Sequence, residues 1–296
     1  MLIYIDGKLY PKDQAKVSVF DHGILYGDGV FEGIRVYDGN IFKLREHLVR
    51  LFESSKTIGL DLPMTIEELE QATIDTVAAN QRRDAYIRLV VTRGVGDLGI
   101  DPGFCEKPTL FIIVASIKLY PQKYYEEGIP LITASTRRIP LEALDPRIKS
   151  CNYLNNILAK LEAKRAQVPE AIMLNHHGRV AECTAVNIFI TKNGDLLTPR
   201  LTEGALPGVT RETVLQVAEE AGLRTHETIL GLHDLYNADE CFLTGTGAEI
   251  VPVILIDGRK IGTGKPGKTT HMLMERYRDV RTRVGHKVDY AAAPVV

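Results

Sequence analysis

The 296-residue chain has no CxxC pair among its four cysteines, Cys105, Cys151, Cys183 and Cys241, which argues against a zinc ribbon or a thioredoxin-like redox site. It has no basic excess either. Against 36 Lys and Arg stand 38 Asp and Glu, so the basic stripe that a nucleic-acid binder needs is missing. Apolar runs such as Leu110 to Ala115 fall far short of the ~20 residues of a membrane span. Met1–Asp6 lacks the basic region and apolar core of a signal peptide, and with isolated thiols the expectation is a soluble, cytoplasmic protein. The eight histidines include no HExxH, and His176-His177 falls at a predicted hairpin tip where adjacent side chains diverge, so no metal is expected. Six serines without a GxSxG elbow offer nothing to a serine hydrolase. What is present, 45% hydrophobic and 25% charged residues, is ordinary globular composition, and the length suggests two domains.

Turn pairs punctuate the chain. Asp6-Gly7, Asp38-Gly39, His177-Gly178, Asn193-Gly194 and Asp257-Gly258 sit between β-prone runs and supply the positive φ angles of tight antiparallel turns. Helical periodicity runs from Leu44 to Gly59 and from Ile66 to Asn80, the second preceded by a capping box of Thr65 and Glu68. Strands are predicted at Tyr86–Thr92 and Thr109–Ser116, and the polar stretch Tyr120–Gly128 reads as a break. Beyond it come a strand at Pro130–Ser135, a helix from about Cys151 to Gln167, and strands at Ala171–Asn175, Arg179–Ile190 and Leu196–Thr198. A helix at Gly208–Ala221, a strand at Glu240–Thr244 and a helix near Thr269–Arg281 follow, with a tail, Ala291–Val296, expected to fray. Hairpins and helices mix without βαβ alternation, so the fold class is α+β. The domains are predicted as residues 1–120, a linker 121–133, and residues 134–296.

Gly262 to Thr269 matches GxxxxGK[ST], the phosphate loop of nucleotide hydrolases, and would make the chain an ATPase. Only 27 residues follow it, too few for the rest of that fold, so a glycine-rich loop entering the last helix is the better reading. Leu206-Pro207-Gly208-Val209-Thr210 opens a helix and suits an anion, or is an ordinary start capped by Thr210. Thr244-Gly245-Thr246-Gly247 ends a strand as a second anion nest, or as a simple turn. Glu182 alternates with Val180, Thr184, Val186 and Ile188, and a carboxylate on an apolar face needs a cation, from the protein or elsewhere. Lys149 lies between a strand and a helix, with Tyr153 one turn on if the helix has begun. It is either a surface charge or a Schiff-base amine. Tyr86 and Arg88 share a strand face and address either a substrate carboxylate or a cross-strand ion pair.

Together these residues resemble the fold type IV aminotransferases that use pyridoxal 5'-phosphate, most closely the branched-chain amino acid aminotransferases. The resemblance runs from about Ile3 to Arg281 through Tyr26–Arg35, Arg45–Leu51, Tyr86–Arg88, Gly94–Gly99, Lys149 with Asn152–Leu154, Glu182 with Asn187–Phe189, Ala205–Arg211 and Gly245–Thr246. It implies two α+β domains, the second a pseudo-barrel, of the D-amino acid aminotransferase type, with the cofactor in the interdomain cleft. It further implies that Lys149 forms the Schiff base and carries the Cα proton, that Glu182 pairs with the pyridine nitrogen, and that Tyr153 bonds the ring 3-oxygen. Arg50, Leu206, Val209, Thr210 and Thr246 would grip the phosphate. Tyr86, Arg88, Thr246, Gly247 and Tyr26 of the partner subunit would receive the substrate carboxylate, and Phe31, Gly33 and Ile100 would line the side-chain pocket. The implied reaction moves the amino group of leucine, isoleucine or valine to 2-oxoglutarate, giving glutamate, in a homodimer or higher homo-oligomer. A D-amino-acid aminotransferase or an aminodeoxychorismate lyase of the same fold is the near alternative. The chain departs from the family at Cys183, Ala185 and Val186, where Gly, Gly and Glu are frequent, and it lacks the tryptophan of some relatives.

Overall fold

The computed structural model describes residues 1–117 and 120–291, so most of the tail expected to fray lies outside the described residues. Two units emerge, and their boundaries differ from the predicted ones. One takes Met1–Ile117, Ile148–Asn152 and Arg281–Val296; the other takes Lys118–Arg147 and Tyr153–Val280. Residues 129–133, assigned to a linker from sequence, form a strand inside the second sheet, and Gln122–Glu127 is a short helix. Short segments that join a distant sheet leave no periodic trace of their own, which is why boundaries drawn along the chain missed them.

The first unit is built on an antiparallel sheet whose strand order is His286–Lys287, Asn40–Ile41, Gly29–Tyr37, Ala85–Thr92, Thr109–Ala115, Leu2–Ile5, Lys8–Pro11. The pair Asp6-Gly7 turns at φ +45° and +90°, and Asp38-Gly39 at +44° and +74°, as the hairpin reading requires. One sheet face carries Val30, Ile34, Val36, Ile87, Leu89 and Val91 and is covered by helices Leu44–Thr57 and Ile66–Ala79. Leu44, Leu48 and Leu51 are buried on the first helix, each contributing about 1.5–3 kcal/mol. The Thr65–Glu68 capping box is formed in both directions. Alternation places Phe31, Gly33, Tyr86 and Arg88 on the opposite face.

The second unit is a mixed sheet ordered Thr225–Thr228, Asp195–Pro199, Asn187–Lys192, Glu240–Gly245, Glu249–Ile256, Ile129–Thr133, Glu170–Leu174, Val180–Cys183, with Arg259–Lys260 paired to Glu249–Ile256. The predicted strand Arg179–Ile190 is two strands. It breaks at residues 184–186, where Cys183 N–H donates to Val186 O, so the alternation read from Val180 to Ile188 does not hold throughout. The helix predicted from Cys151 begins only at Leu154, with Tyr153 as its N-cap residue, so Lys149 and Tyr153 do not stand one helical turn apart. No helix among the described residues is long and apolar enough to cross a membrane.

Candidate active site

Lys149 belongs to the first unit although residues on both sides of its segment belong to the second. Phe31 N–H donates to Lys149 O at 2.9 Å, Cys151 N–H donates to Gly29 O at 2.8 Å, and Val30 and Ser150 form an isolated antiparallel bridge. Lys149 N–H donates to Ser54 Oγ at 3.1 Å. The segment is thus stitched to the start of strand Gly29–Tyr37, and its half-buried lysine lies with Nζ 4.6 Å from the Phe31 ring centroid. Arg88 Cζ lies 4.4 Å from the same ring, so Phe31 carries two cations on the face opposite the core. Gly33 has a steric reason: a Cβ there would stand 2.0 Å from Tyr86 Oη, whose ring lies across it. Burial pushes the neighbouring Cys151 thiol up to about 11, so at neutral pH it is not a competing nucleophile.

A second feature of this unit carried no assignment from sequence. Glu32, fully buried, accepts from Arg50 Nε and Nη2 at 2.7 Å each and from His47 Nδ1 at 2.7 Å. Burial alone would raise the Glu32 carboxyl, but the Arg50 and His47 contacts outweigh it and hold the group well below the carboxylate range. Burial pushes His47 down against the opposing pull of Glu32, and the Arg50 and Lys149 charges add to the lowering. The signal was available: Glu32 alternates with Val30, Ile34 and Val36 just as Glu182 does with its neighbours.

In the second unit Glu182 is 5% exposed and already has a cation. Arg138 Nη2 lies 2.9 Å from Oε1, Leu206 N–H donates to Oε2 at 2.9 Å, and Asn187 Nδ2 donates to Oε2 at 3.3 Å. The buried Arg138 is itself fixed, donating from Nε to Gly204 O and from Nη1 to Asn156 Oδ1. The Leu206 amide, expected at a phosphate, therefore serves Glu182. Helix Val209–Glu220 starts at Gly208 with no side-chain cap, so Thr210 is not the cap, and the first amides lack intrahelical acceptors. At Gly208 a Cβ would meet Asn187 Oδ1 at 2.2 Å. Thr246 and Gly247 form a half-buried turn after strand Glu240–Gly245, and the buried Thr244 Oγ1 has no hydrogen-bond partner.

This donor set fits a phosphorylated pyridine. An uncapped helix start and a glycine-containing turn are anion donors, and a buried carboxylate suits a protonated ring nitrogen. The rival phosphate loop does not survive. Its helix, Lys268–Arg283, already seats a carboxylate: Glu240 accepts from Thr269 N at 3.0 Å and from Thr270 N and Oγ1 at 2.7 Å each. His176 and His177 do not diverge as expected, since their rings lie 3.8 Å apart, but no cluster of three or more metal-ligating side chains exists among the described residues. Ile100, expected in a pocket, is 85% exposed, and Tyr26 is held by Gly99 N–H at its hydroxyl, 2.8 Å away.

Residues 29–256 match the model of the amino-transferase class IV family. A Methanocaldococcus jannaschii protein, whose name assigns it provisionally to the branched-chain-amino-acid aminotransferases, is 53% identical over 97% of this chain and 99% of its own. The D-alanine aminotransferase of Bacillus licheniformis is 38% identical over 91% and 93%. The crystal structure of the branched-chain amino acid aminotransferase from Thermobaculum terrenum, in its PLP-form, superposes with a TM-score of 0.86 at 34% identity, covering 95% of this chain and 94% of that one. On these grounds the chain belongs to the class IV aminotransferase family, with the two-unit α+β fold of its fold type IV members.

Proposed function

We propose that the chain binds pyridoxal 5'-phosphate and moves the amino group of L-leucine, L-isoleucine or L-valine to 2-oxoglutarate. The observation that carries the reading is Lys149, a half-buried amine on a backbone pinned by Phe31, Gly29 and Ser54, in a chain of the aminotransferase family. The cofactor supplies an aldehyde for amines and a ring that draws electrons from the substrate Cα. Lys149 Nζ would hold the cofactor and would take up and release the substrate Cα proton. Glu182, ion-paired with Arg138, would hold a proton on the ring nitrogen, and the Tyr153 hydroxyl would bond the ring oxygen. Arg50 and the amides of Val209, Thr210 and Thr246 grip the phosphate. Tyr86, Arg88, the Thr246 and Gly247 amides and Tyr26 of the partner subunit would orient the α-carboxylate, while Phe31 and Gly33 would shape the side-chain pocket.

The reading extends to a second copy of the chain, for which exposed apolar surface is the support. In the first unit Val19, Phe20, Ile24, Leu98 and Ile100 are apolar and exposed, and in the second Leu154, Ile157, Leu158 and Leu161 line one exposed helix stripe. We assign these surfaces to a homodimer. Light scattering should give at least twice the 32.9 kDa chain mass, and a monomer would remove Tyr26 from the scheme. The free thiols of all four cysteines suit a reducing cytoplasm.

The decisive experiment adds borohydride to the protein with pyridoxal 5'-phosphate and maps the label. It is expected on Lys149 and absent in Lys149→Ala, whose turnover should fall by about a thousandfold or more, roughly 4 kcal/mol of barrier. A Lys149→Ala variant with normal transamination would overturn the assignment. The 38% identity to a D-alanine aminotransferase favours a second reading, transamination of D-amino acids. Tyr86-x-Arg88 and the Gly94–Gly99 loop favour the L-branched-chain substrates instead. L-leucine, L-valine and D-alanine assayed in parallel separate the two.

A further inference from the structure

The short helix His22–Leu25 and the loop that follows strand Ala85–Thr92 are folded onto each other within the first unit. His22 N–H donates to Gly94 O at 2.9 Å, Gly96 N–H donates to Phe20 O at 3.2 Å, and Asp21 and Val95 form an isolated antiparallel bridge. Asp21 caps the helix by accepting from Gly23 N–H at 2.8 Å, and Thr92 Oγ1 donates to its other oxygen at 2.9 Å. The His22 side chain is buried, 1% exposed, with Nε2 2.9 Å from Asp97 O. A carbonyl only accepts, so Nε2 carries the hydrogen and donates. Gly96 permits this approach: a Cβ there would stand 3.0 Å from His22 Nε2 and 2.7 Å from Cys105 Sγ.

The same imidazole reaches Tyr26 by two routes. His22 and Tyr26 are four residues apart, and their rings meet edge to face with centroids 5.0 Å apart. Gly99, two residues beyond Asp97, donates its N–H to Tyr26 Oη at 2.8 Å. Gly99 sits at φ +131°, where the backbone has a freedom only glycine offers, so its amide is placed by what anchors its neighbours. Tyr26 is exposed, and a hydroxyl that accepts at its oxygen keeps its own O–H to donate, more strongly for having accepted. We propose that His22 is a positioning residue which, through the turn Asp97–Gly99, aims the Tyr26 hydroxyl as a donor to the substrate α-carboxylate. The inference rests on the reading above, in which Tyr26 serves the site of the second copy. His22 touches no reacting atom; it acts through Tyr26.

The test titrates the full-length holoenzyme with 4-methylvalerate, which is leucine without its amino group, and with 3-methylbutylamine, which is leucine without its carboxylate. Both are read from the change in cofactor absorbance. His22→Leu, which removes the N–H donor, should weaken 4-methylvalerate binding by about tenfold and leave 3-methylbutylamine and pyridoxal 5'-phosphate affinity within about twofold. His22→Gln, whose side-chain amide restores a donor, should recover most of the loss. In a Tyr26→Phe background His22→Leu should have no further effect. Gly96→Ala, which crowds the loop away from His22, should reproduce the loss and serves if His22→Leu does not fold. Unchanged 4-methylvalerate affinity in these variants would overturn the proposal. So would equal loss for acid and amine, which reduces His22 to a structural role, or a loss that persists in the Tyr26→Phe background. If Tyr26→Phe alone leaves 4-methylvalerate affinity intact, the assignment of Tyr26 to the carboxylate fails and this inference falls with it.

Discussion

Helices Val209–Glu220 and Lys268–Arg283 both follow a glycine, yet among the described residues only the second has a carboxylate seated on its first amides. By pattern alone Gly262 to Thr269 is the stronger match, residue for residue to a phosphate loop, although its context already favours a plain glycine-rich loop and leaves Leu206 to Thr210 the better anion candidate. In the structure the strong match is filled from within by Glu240, and a Cβ at Gly267 would stand 2.0 Å from Glu240 Cδ. The weak match keeps its helix start without a side-chain cap, because Asn187 packs against Gly208 and turns its amide toward Glu182 and Leu206 O. The lesson is one of occupancy. Amides at a helix start attract any anion, and a carboxylate of the same chain held in place is at far higher effective concentration than a ligand in solution.

The contrast breaks most visibly at Gly208. Gly208→Ala should displace Asn187, loosen Glu182, and weaken pyridoxal 5'-phosphate binding by about tenfold or more, equivalent to about 1.4 kcal/mol. An unchanged affinity, measured by titration of the stripped protein, would mean that this helix start is not an anion site. Glu240→Ala addresses the other helix. Losing a carboxylate cap should lower stability by about 1–2 kcal/mol, a few degrees in melting temperature, and leave cofactor affinity unaltered. A drop in cofactor affinity without loss of stability would show the two helix starts to be functionally alike.

Glu162 sharpens the comparison with the smallest effect. Burial opposes its ionisation, but the Thr136 and Ser135 hydroxyls and amides donate to it and hold it at about 2. Its folded value lies below the ordinary 4.5, so its contribution is complete above 4.5 and fades as pH falls toward 2. The stability difference between wild type and Glu162→Gln, measured by urea unfolding, should shrink between pH 5 and about pH 3. A difference independent of pH would show that the carboxylate charge is not what the loop needs.

The two buried carboxylates show how far the sequence could be read. Glu182 was legible because a charge interrupts an apolar strand pattern, and Glu32 was equally legible by that rule but drew no assignment amid the glycine-rich motif around it. Their partners divide differently. Arg50 and His47 sit on a periodic helix that had to pack on the sheet, so a pairing with Glu32 was within reach. Arg138 was not: it stands in a stretch without periodicity, 44 residues from Glu182. Its discovery also changes the reading of Glu182, whose burial is explained by a protein cation before any cofactor is considered.

Helices, most strands and the sharp turns were settled by the order of residues alone, because dihedral preference, capping and apolar period act within about four neighbours. Which helix start holds a carboxylate, which arginine meets Glu182, and that Ile148–Asn152 leaves its neighbours to join the strand at Gly29 were decided only in three dimensions. Each depends on groups tens of residues apart competing for the same few hydrogen bonds, and that competition has no period along the chain.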